Sequence, residues 1–337
     1  MKKSTKADAV FGVSTIDSIS KWNRDRVINL LVRNSMVFVL LIVMLYFSIK
    51  NPNFATLPNF RTIMIAAAPF ALITLGQTLV ILTGGIDLSV GSIIALTTMT
   101  GAKLVVDHPH QLVLSIFAAV LVGFLAGLVN GVVVSYLNVT PFVATLGMLT
   151  VASGLAYVIG QGAPINGLPE SWGKIANSKF LGFQSPVFIM VAGFIILGIV
   201  MSRTSFGLRI YAVGGNRVAA EVAGVNPRRI LIYVYSISGT LAGISGVILS
   251  SRVISGPPNL GSGYELSAIA AVVIGGASLM GGRGTIWGSL LGLFLIQTLN
   301  NGLDILIIPA YWQRVISGVL IVSAVAVDVW ATKRSSK

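Results

Sequence analysis

One carboxylate, Asp87, falls between two long apolar runs, and other such runs carry the amides Gln77, Asn130, Gln297, Asn300 and Asn301. A charged side chain at the centre of a bilayer costs about 2.5–3.5 kcal/mol on insertion scales, so Asp87 needs compensation. It either caps a helix beginning at Leu88 or sits, with Gly84 and Gly85, beside a transport path or hinge. Amides bind hydroxyl-rich solutes or bridge helices, and bridging is the expectation for most of these. Glu265 follows Ser262 by three residues, the spacing of a capping box, and is expected as a cap before it is a ligand. His108 and His110 share a short loop with Asp107, a poor metal site. There is no cysteine, which excludes thiolate catalysis, disulfides and cysteine-bound metals. No H-E-x-x-H, G-x-S-x-G or Walker A pattern occurs, and the nearest approach, from Gly276 to Arg283, lacks the lysine and hydroxyl that hold phosphate and magnesium. The chain is therefore expected to have no catalytic residues, no cofactor and no metal, and to hydrolyse no ATP itself.

The elements that hold these side chains are membrane spans. Hydrophobic residues make up 55% of the chain and charged residues 10%, too apolar a balance for a soluble core to hide. Segments near the roughly 20 residues needed to span a bilayer fall at 35–49, 62–83, 88–106, 112–137, 141–160, 186–201, 229–250, 264–280, 285–302 and 311–330. The expected fold is an all-α polytopic bundle of about ten transmembrane helices spanning 35–331, with tails at 1–34 and 332–337. Counting from a cytoplasmic amino terminus, one side collects the basic tail residues, Arg203, Arg209, Arg217, Arg228, Arg229, Arg283, Lys333, Arg334 and Lys337. The other keeps Lys50, Arg61, Lys103, Lys174, Lys179, Arg252 and Arg314. The positive-inside rule then places both termini in the cytoplasm. The net charge of +13 is a topology signal rather than a sign of nucleic-acid binding. In the first tail, Ile16, Ile19, Trp22, Val27, Leu30 and Leu31 recur beside Lys21, Arg24 and Arg26, suiting an amphipathic helix on an anionic leaflet.

Local signals mark helix starts and contacts. Thr140 with Pro141, Ser185 with Pro186 and Asn226 with Pro227 each pair a capping residue with proline at the first helical position. Gly123, Gly127 and Gly131, then Gly239 and Gly243, then Gly284, Gly288 and Gly292 recur every four residues, giving flat strips for close helix contact. An internal echo relates Gly84-Gly85-Ile86-Asp87 to Gly275-Gly276-Ala277-Ser278, with Asn130-Gly131 and Asn301-Gly302 downstream. Glycines that interrupt apolar runs in both halves hint at broken helices.

The long basic loop at about 202–229 contains Asn216 and, after two helical turns, Gly224, which are start and stop signals. A helix that short is marginal in water and must dock on its own chain or on a second protein.

Several stretches together resemble the permease subunits of ribose-type, binding-protein-dependent ABC importers. They are TGGIDLSVG at 83–91, Asn130-Gly131, TSFG at 204–207, GGNRVAAEVAG at 214–224, GYELSAIAA at 263–271, GGASLMGGRG at 275–284 and NNGL at 300–303. The similarity runs from about Asn51 to Asp328. It implies a sugar permease of a bacterial inner membrane, working as a pair of permeases with a cytosolic ATPase and a periplasmic binding protein. By resemblance, Asn216, Arg217, Ala219, Ala220, Glu221 and Gly224 belong to the helix seated on the ATPase. Glu170, Lys174, Lys179 and Arg252, in the outward loops 161–185 and 251–263, become contacts for the binding protein. A permease of branched-chain amino-acid importers and a stand-alone facilitator or channel are the alternatives; the first calls for a charged pair near the path, the second for no loop helix.

Overall fold

In the computed structural model of this chain, residues 35–309 are described, together with 311–313, 315, 316, 318, 319, 322, 323 and 326. The basic tail at 1–34, parts of the expected span at 311–330 and the tail at 332–337 lie outside the described residues. The described residues are mostly helical: α1 (Ser35–Lys50), α2 (Leu57–Leu82), α3 (Val90–Asp107), α4 (Leu112–Ser135), α5 (Pro141–Gly160), α6 (Glu170–Asn177), α7 (Ser185–Arg203), α8 (Ser205–Gly215), α9 (Arg217–Val222), α10 (Pro227–Val253), α11 (Tyr264–Ile274) and α12 (Ile286–Ile305). A two-residue antiparallel hairpin, Lys179–Phe180 with Phe183–Gln184, joins α6 to α7. Among the described residues six helices, α2 to α5, α7 and α10, are long and apolar enough to cross a membrane, and α1 and α11 are shorter apolar helices. The chain is an all-α polytopic membrane protein.

Three helices, α2, α3 and α10, form the centre. All three bury most of their length, whereas α5 leaves most of its surface exposed. The glycine strips explain the tightest seam. A Cβ added at Gly127 of α4 would lie 3.0 Å from the Tyr235 carbonyl carbon and 3.1 Å from Gly239 Cα of α10, and one added at Gly123 would lie 3.0 Å from Gly243 Cα. The two expected strips therefore face one another, backbone on backbone, as small-residue packing in membranes requires. The third strip works alike: Gly288 lies against Gly275, and Gly292 against Ala271 of α11.

Of the three expected caps, Asn226 accepts from the Arg229 N–H at 3.2 Å, while Thr140 makes no side-chain cap. Ser185 is itself helical and donates its hydroxyl to the Ile175 carbonyl. Caps at Thr56, Thr204 and Thr285 do the same service for α2, α8 and α12. The expected capping box forms by half. Gly263 occupies the N-cap of α11 with φ +85°, so Ser262 caps nothing, and Glu265 Oε1 reaches back to the Gly263 N–H at 3.2 Å.

Three expectations about loops need correction. The basic loop is mostly helical, because Thr204 caps a further helix, α8, ahead of α9. The segment 161–185 is not a free loop: Trp172 of α6 is fully buried, and its Nε1 donates to Ser250 Oγ of α10 at 3.2 Å. The run at 264–280 is helical only from Tyr264 to Ile274, about 16 Å at 1.5 Å per residue, short of the roughly 30 Å hydrocarbon layer. The chain before α11 folds back along α3. Gly256 lies beside Ala102 and the Thr98 carbonyl, and Gly261 beside Gly91 and Ile94.

Candidate functional site

Asp87 lies in the 83–89 turn between α2 and α3 and is completely buried. Its Oδ1 accepts from the Ser89 N–H at 2.9 Å and the Ser89 hydroxyl at 2.6 Å, and its Oδ2 accepts from Ser238 Oγ of α10 at 3.0 Å. Asn130 Nδ2 of α4 donates to Ser89 Oγ at 2.8 Å. The Gln77 amide, oriented so that donors meet acceptors, donates to the Asp87 carbonyl at 3.0 Å and accepts from the Asp87 N–H at 3.2 Å. Three expected residues, Gln77, Asp87 and Asn130, thus come together in one buried network that ties α2, α3, α4 and α10. Helix α3 starts at Val90 with Ser89 at its N-cap, so Asp87 closes a turn ahead of the helix rather than capping one at Leu88. A network of this type rigidifies a core when every member is satisfied. The Tyr235 hydroxyl lies beside Gly85 and has no partner among the described residues.

The internal echo is visible in hydrogen bonds. Gly84 N–H donates to the Ile81 carbonyl and Gly85 N–H to Val80, and correspondingly Gly276 N–H donates to Val273 and Ala277 N–H to Val272. Gly84 and Gly276 carry φ of +78° and +89°, the left-handed conformation that ends a helix. The Ser278 hydroxyl then accepts from the Met280 N–H at 3.3 Å, as Asp87 does from Ser89. The second turn is one residue shorter, so the equivalence of glycines slips by one from the sequence match. Both turns touch. A Cβ added at Gly281 would lie 2.8 Å from Gly84 N, and the Gly282 N–H donates to the Leu82 carbonyl at 3.0 Å. Gly214, at the end of α8, packs against the same Leu82 carbonyl and Gly282.

That contact leads to α9. Asn216 caps it by accepting from the Ala219 N–H at 3.0 Å, and Gly224 ends it at φ +81°. Ala220 is 3% exposed and faces its own chain, whereas Val218 and Val222 are 70% and 86% exposed. Asn216, Arg217, Ala219, Glu221 and Gly224 are exposed as well. Of the two options left open by the sequence, docking on its own chain is seen on the Ala220 side, while Val218 and Val222 point outward. Neither valine stands among the residues singled out from the sequence, and their exposure is what distinguishes them.

The remaining expected residues scatter. Asn301 and Asn59 exchange two amide hydrogen bonds at 2.9 Å each, a helix bridge between α12 and α2. A double-mutant cycle replacing Asn59 and Asn301 by alanine is expected to return a coupling of about 0.6–2 kcal/mol in thermal unfolding of the purified chain; additive losses would contradict the bridge. Asn300 and Gln297 instead line a cavity of about 180 Å³ with Arg252, Tyr264 and Phe70. Glu170 and Lys174 pair with one another at 3.0 Å on the exposed side of α6, and Lys179 and Arg252 are exposed. Asp107 pairs with Lys103 at 3.0 Å.

Residues 59–325 match the family described as branched-chain amino acid transport system / permease component. The ribose import permease of Bacillus subtilis is 42% identical over 294 residues, covering 87% of this chain and 90% of that protein. The chain belongs to the ribose-type import permeases. The ribose import permease of Escherichia coli is 40% identical over 88% of this chain and 94% of its own length. The galactose/methyl galactoside import permease of Haemophilus influenzae is 34% identical over 92% and 98%. No solved structure matches this permease.

Proposed function

We propose that this permease carries a sugar across a bacterial inner membrane as the membrane subunit of an ABC importer, supplied by a periplasmic binding protein and powered by a cytosolic ATPase. The observation that carries the reading is the likeness to ribose, galactose, allose and arabinose permeases over most of their lengths. It favours a sugar over an amino acid even though the matched family takes its description from branched-chain amino-acid systems. The site geometry agrees: Asp87 is bonded to hydroxyl and amide groups rather than set opposite a cation for a zwitterion. Uptake assays against D-ribose, D-galactose, D-allose, L-arabinose and leucine, in cells that also express the cognate ATPase and binding protein, test it. Uptake of one or more sugars is expected, and uptake of leucine alone would overturn the reading.

In this proposal the chain crosses the membrane ten times with both termini in the cytoplasm. α1, α11, α12 and the segment from Tyr311 add to the six long helices, and the turn at 254–263 completes the crossing begun by α11. The chain itself performs no covalent chemistry. A second permease subunit, identical or related, completes the pore, and the outer surface around Glu170, Lys174, Lys179 and Arg252 receives the binding protein. Nucleotide binding draws the ATPase pair together and moves α9. Gly214 hands that motion to the two glycine turns through backbone contact, and the glycine seam between α4 and α10 lets the helices rock between outward and inward openings.

Ala220 is a poor probe of this coupling because bulk there disturbs the chain's own packing. Val218→Asp and Val222→Asp put charge on the outward side only. Each is expected to reach the membrane at wild-type abundance, fail to co-purify with the ATPase and lose more than about tenfold in uptake, the factor that accompanies a loss near 1.4 kcal/mol of binding. Wild-type uptake by both variants would remove α9 from the coupling.

A further inference from the structure

Between α3, α5 and the folded-back turn at 254–263 lies a cavity of about 150 Å³, the scale of one sugar ring. Its polar wall is Ser92, Ser153, Tyr157, Asn259, Ser262 and Glu265. Tyr157 and Ser262 are exposed, so the cavity opens to the surface there. Glu265 Oε1 is held by the Gly263 N–H at 3.2 Å, which fixes the carboxylate and leaves its second oxygen toward α3. Gly91 makes room for it: an added Cβ would collide with Glu265 Oε2 and lie 2.5 Å from the Gly261 carbonyl. Among the described residues Glu265 has no salt-bridge partner. A carboxylate within the span of a membrane chain and without a cation is a mark of function rather than packing, and irregular backbone at a broken helix is where transporters place their sites.

A second cavity borders the same helix, α5. Toward the start of α5, a space of about 320 Å³ is lined by Thr83, Gly84, Gly85, Thr140, Pro141 and Arg217 among others. Between the two, Thr145 Oγ1 lies 3.2 Å from the Ile86 carbonyl and 2.9 Å from the Pro141 carbonyl of its own helix, which sets α5 against the Asp87 turn. The larger cavity touches the coupling segment through Arg217, and the smaller touches the broken helix.

We propose that the Glu265 chamber binds the transported solute, a neutral monosaccharide or polyol, with the free carboxylate oxygen accepting from solute hydroxyls and Asn259, Ser92 and Ser153 completing the contacts; the Ile86–Thr145 contact is the barrier on its cytoplasmic side. This rests on the reading of the chain as a sugar permease and names the site of that activity. A carboxylate that accepts two hydroxyl protons suits a diol, and a loaded chamber sheds its water only for a solute that replaces those bonds.

The test uses full-length permease with its ATPase and binding protein, and radiolabelled D-ribose, L-arabinose, D-galactose and D-allose as probes. Glu265→Gln keeps the shape and the bond to Gly263 but weakens the acceptor; uptake of the transported sugar is expected to fall about tenfold or more at unchanged membrane abundance. Ser153→Leu fills the cavity from the α5 side without touching Glu265, and is expected to reject a hexose more strongly than a pentose, or to stop uptake altogether. If Glu265→Gln does not reach the membrane, Ser153→Leu decides alone. Wild-type rate and KM for every sugar in Ser153→Leu overturn the site assignment while leaving the sugar-permease reading standing. Wild-type permease that carries none of the four sugars overturns that reading, and the chamber's ligand with it.

Discussion

Asp87→Ala is expected to cost the permease several kcal/mol and most of its uptake. Removing the carboxylate strands the Ser89 N–H, the Ser89 hydroxyl and the Ser238 hydroxyl in a completely buried site. Each buried polar group left unsatisfied costs about 1–3 kcal/mol. Asp87→Asn behaves differently, because its Oδ1 still accepts from Ser89 and its Nδ2 can donate to Ser238 Oγ. Thermal unfolding of detergent-purified protein should therefore place the asparagine variant close to wild type and the alanine variant far below it, with uptake following the same order. Equal losses in both variants would mean that the negative charge itself is required, and the account of Asp87 as the centre of a packing network would fail.

The second large effect concerns the seam between α4 and α10. Gly127→Leu has no space to enter: even the first carbon would meet the Tyr235 carbonyl and Gly239 Cα. Neighbouring Gly123 is equally tight against Gly243, so α4 cannot slide to make room. Overpacking of this kind costs about 1–3 kcal/mol or more, and because the collision is with backbone the upper end is expected. Gly147→Ala on α5 is the control. Nothing lies within 4 Å of a Cβ built there, and alanine for glycine within a helix is worth up to about 1 kcal/mol in the favourable direction. A leucine at position 127 that leaves the unfolding midpoint where Gly147→Ala leaves it would contradict the close approach.

These residues also show what could be read from the chain before its fold was known. The glycine strips were legible because the four-residue spacing is itself the geometry of a helix face, and backbone approach admits little else. The short helix after Asn216 was legible for the same local reason: a cap and a left-handed glycine bracket it. The meeting of Gln77, Asp87 and Asn130 was not, since it joins three helices whose relative placement no local pattern records. The sequence placed these residues among its candidates without saying that they touch. The broken helix was hinted at by Gly275-Gly276, but its end was not. Apolar residues continue from Leu266 to Leu279, so hydropathy reads through the end of α11, where Gly276, Gly281 and Gly282 take positive φ. The role of Glu265 was half legible: the spacing from Ser262 suggested a cap, but its partner is Gly263, its other oxygen packs against Gly91, and the cavity it lines is closed by residues after Ile254 that turn back along α3. Gly91 carried the one local clue, a glycine in the first turn of α3 where a helix has no need of one.

The central claim is that energy for transport enters from a partner through α9. Purified permease reconstituted into liposomes with the binding protein outside, with and without the ATPase and internal ATP, measures it directly. The account predicts accumulation of sugar above the external concentration only when the ATPase and ATP are both present, and no accumulation when Val222→Asp replaces the wild-type chain. Concentration of a sugar against its gradient by the permease alone would contradict it.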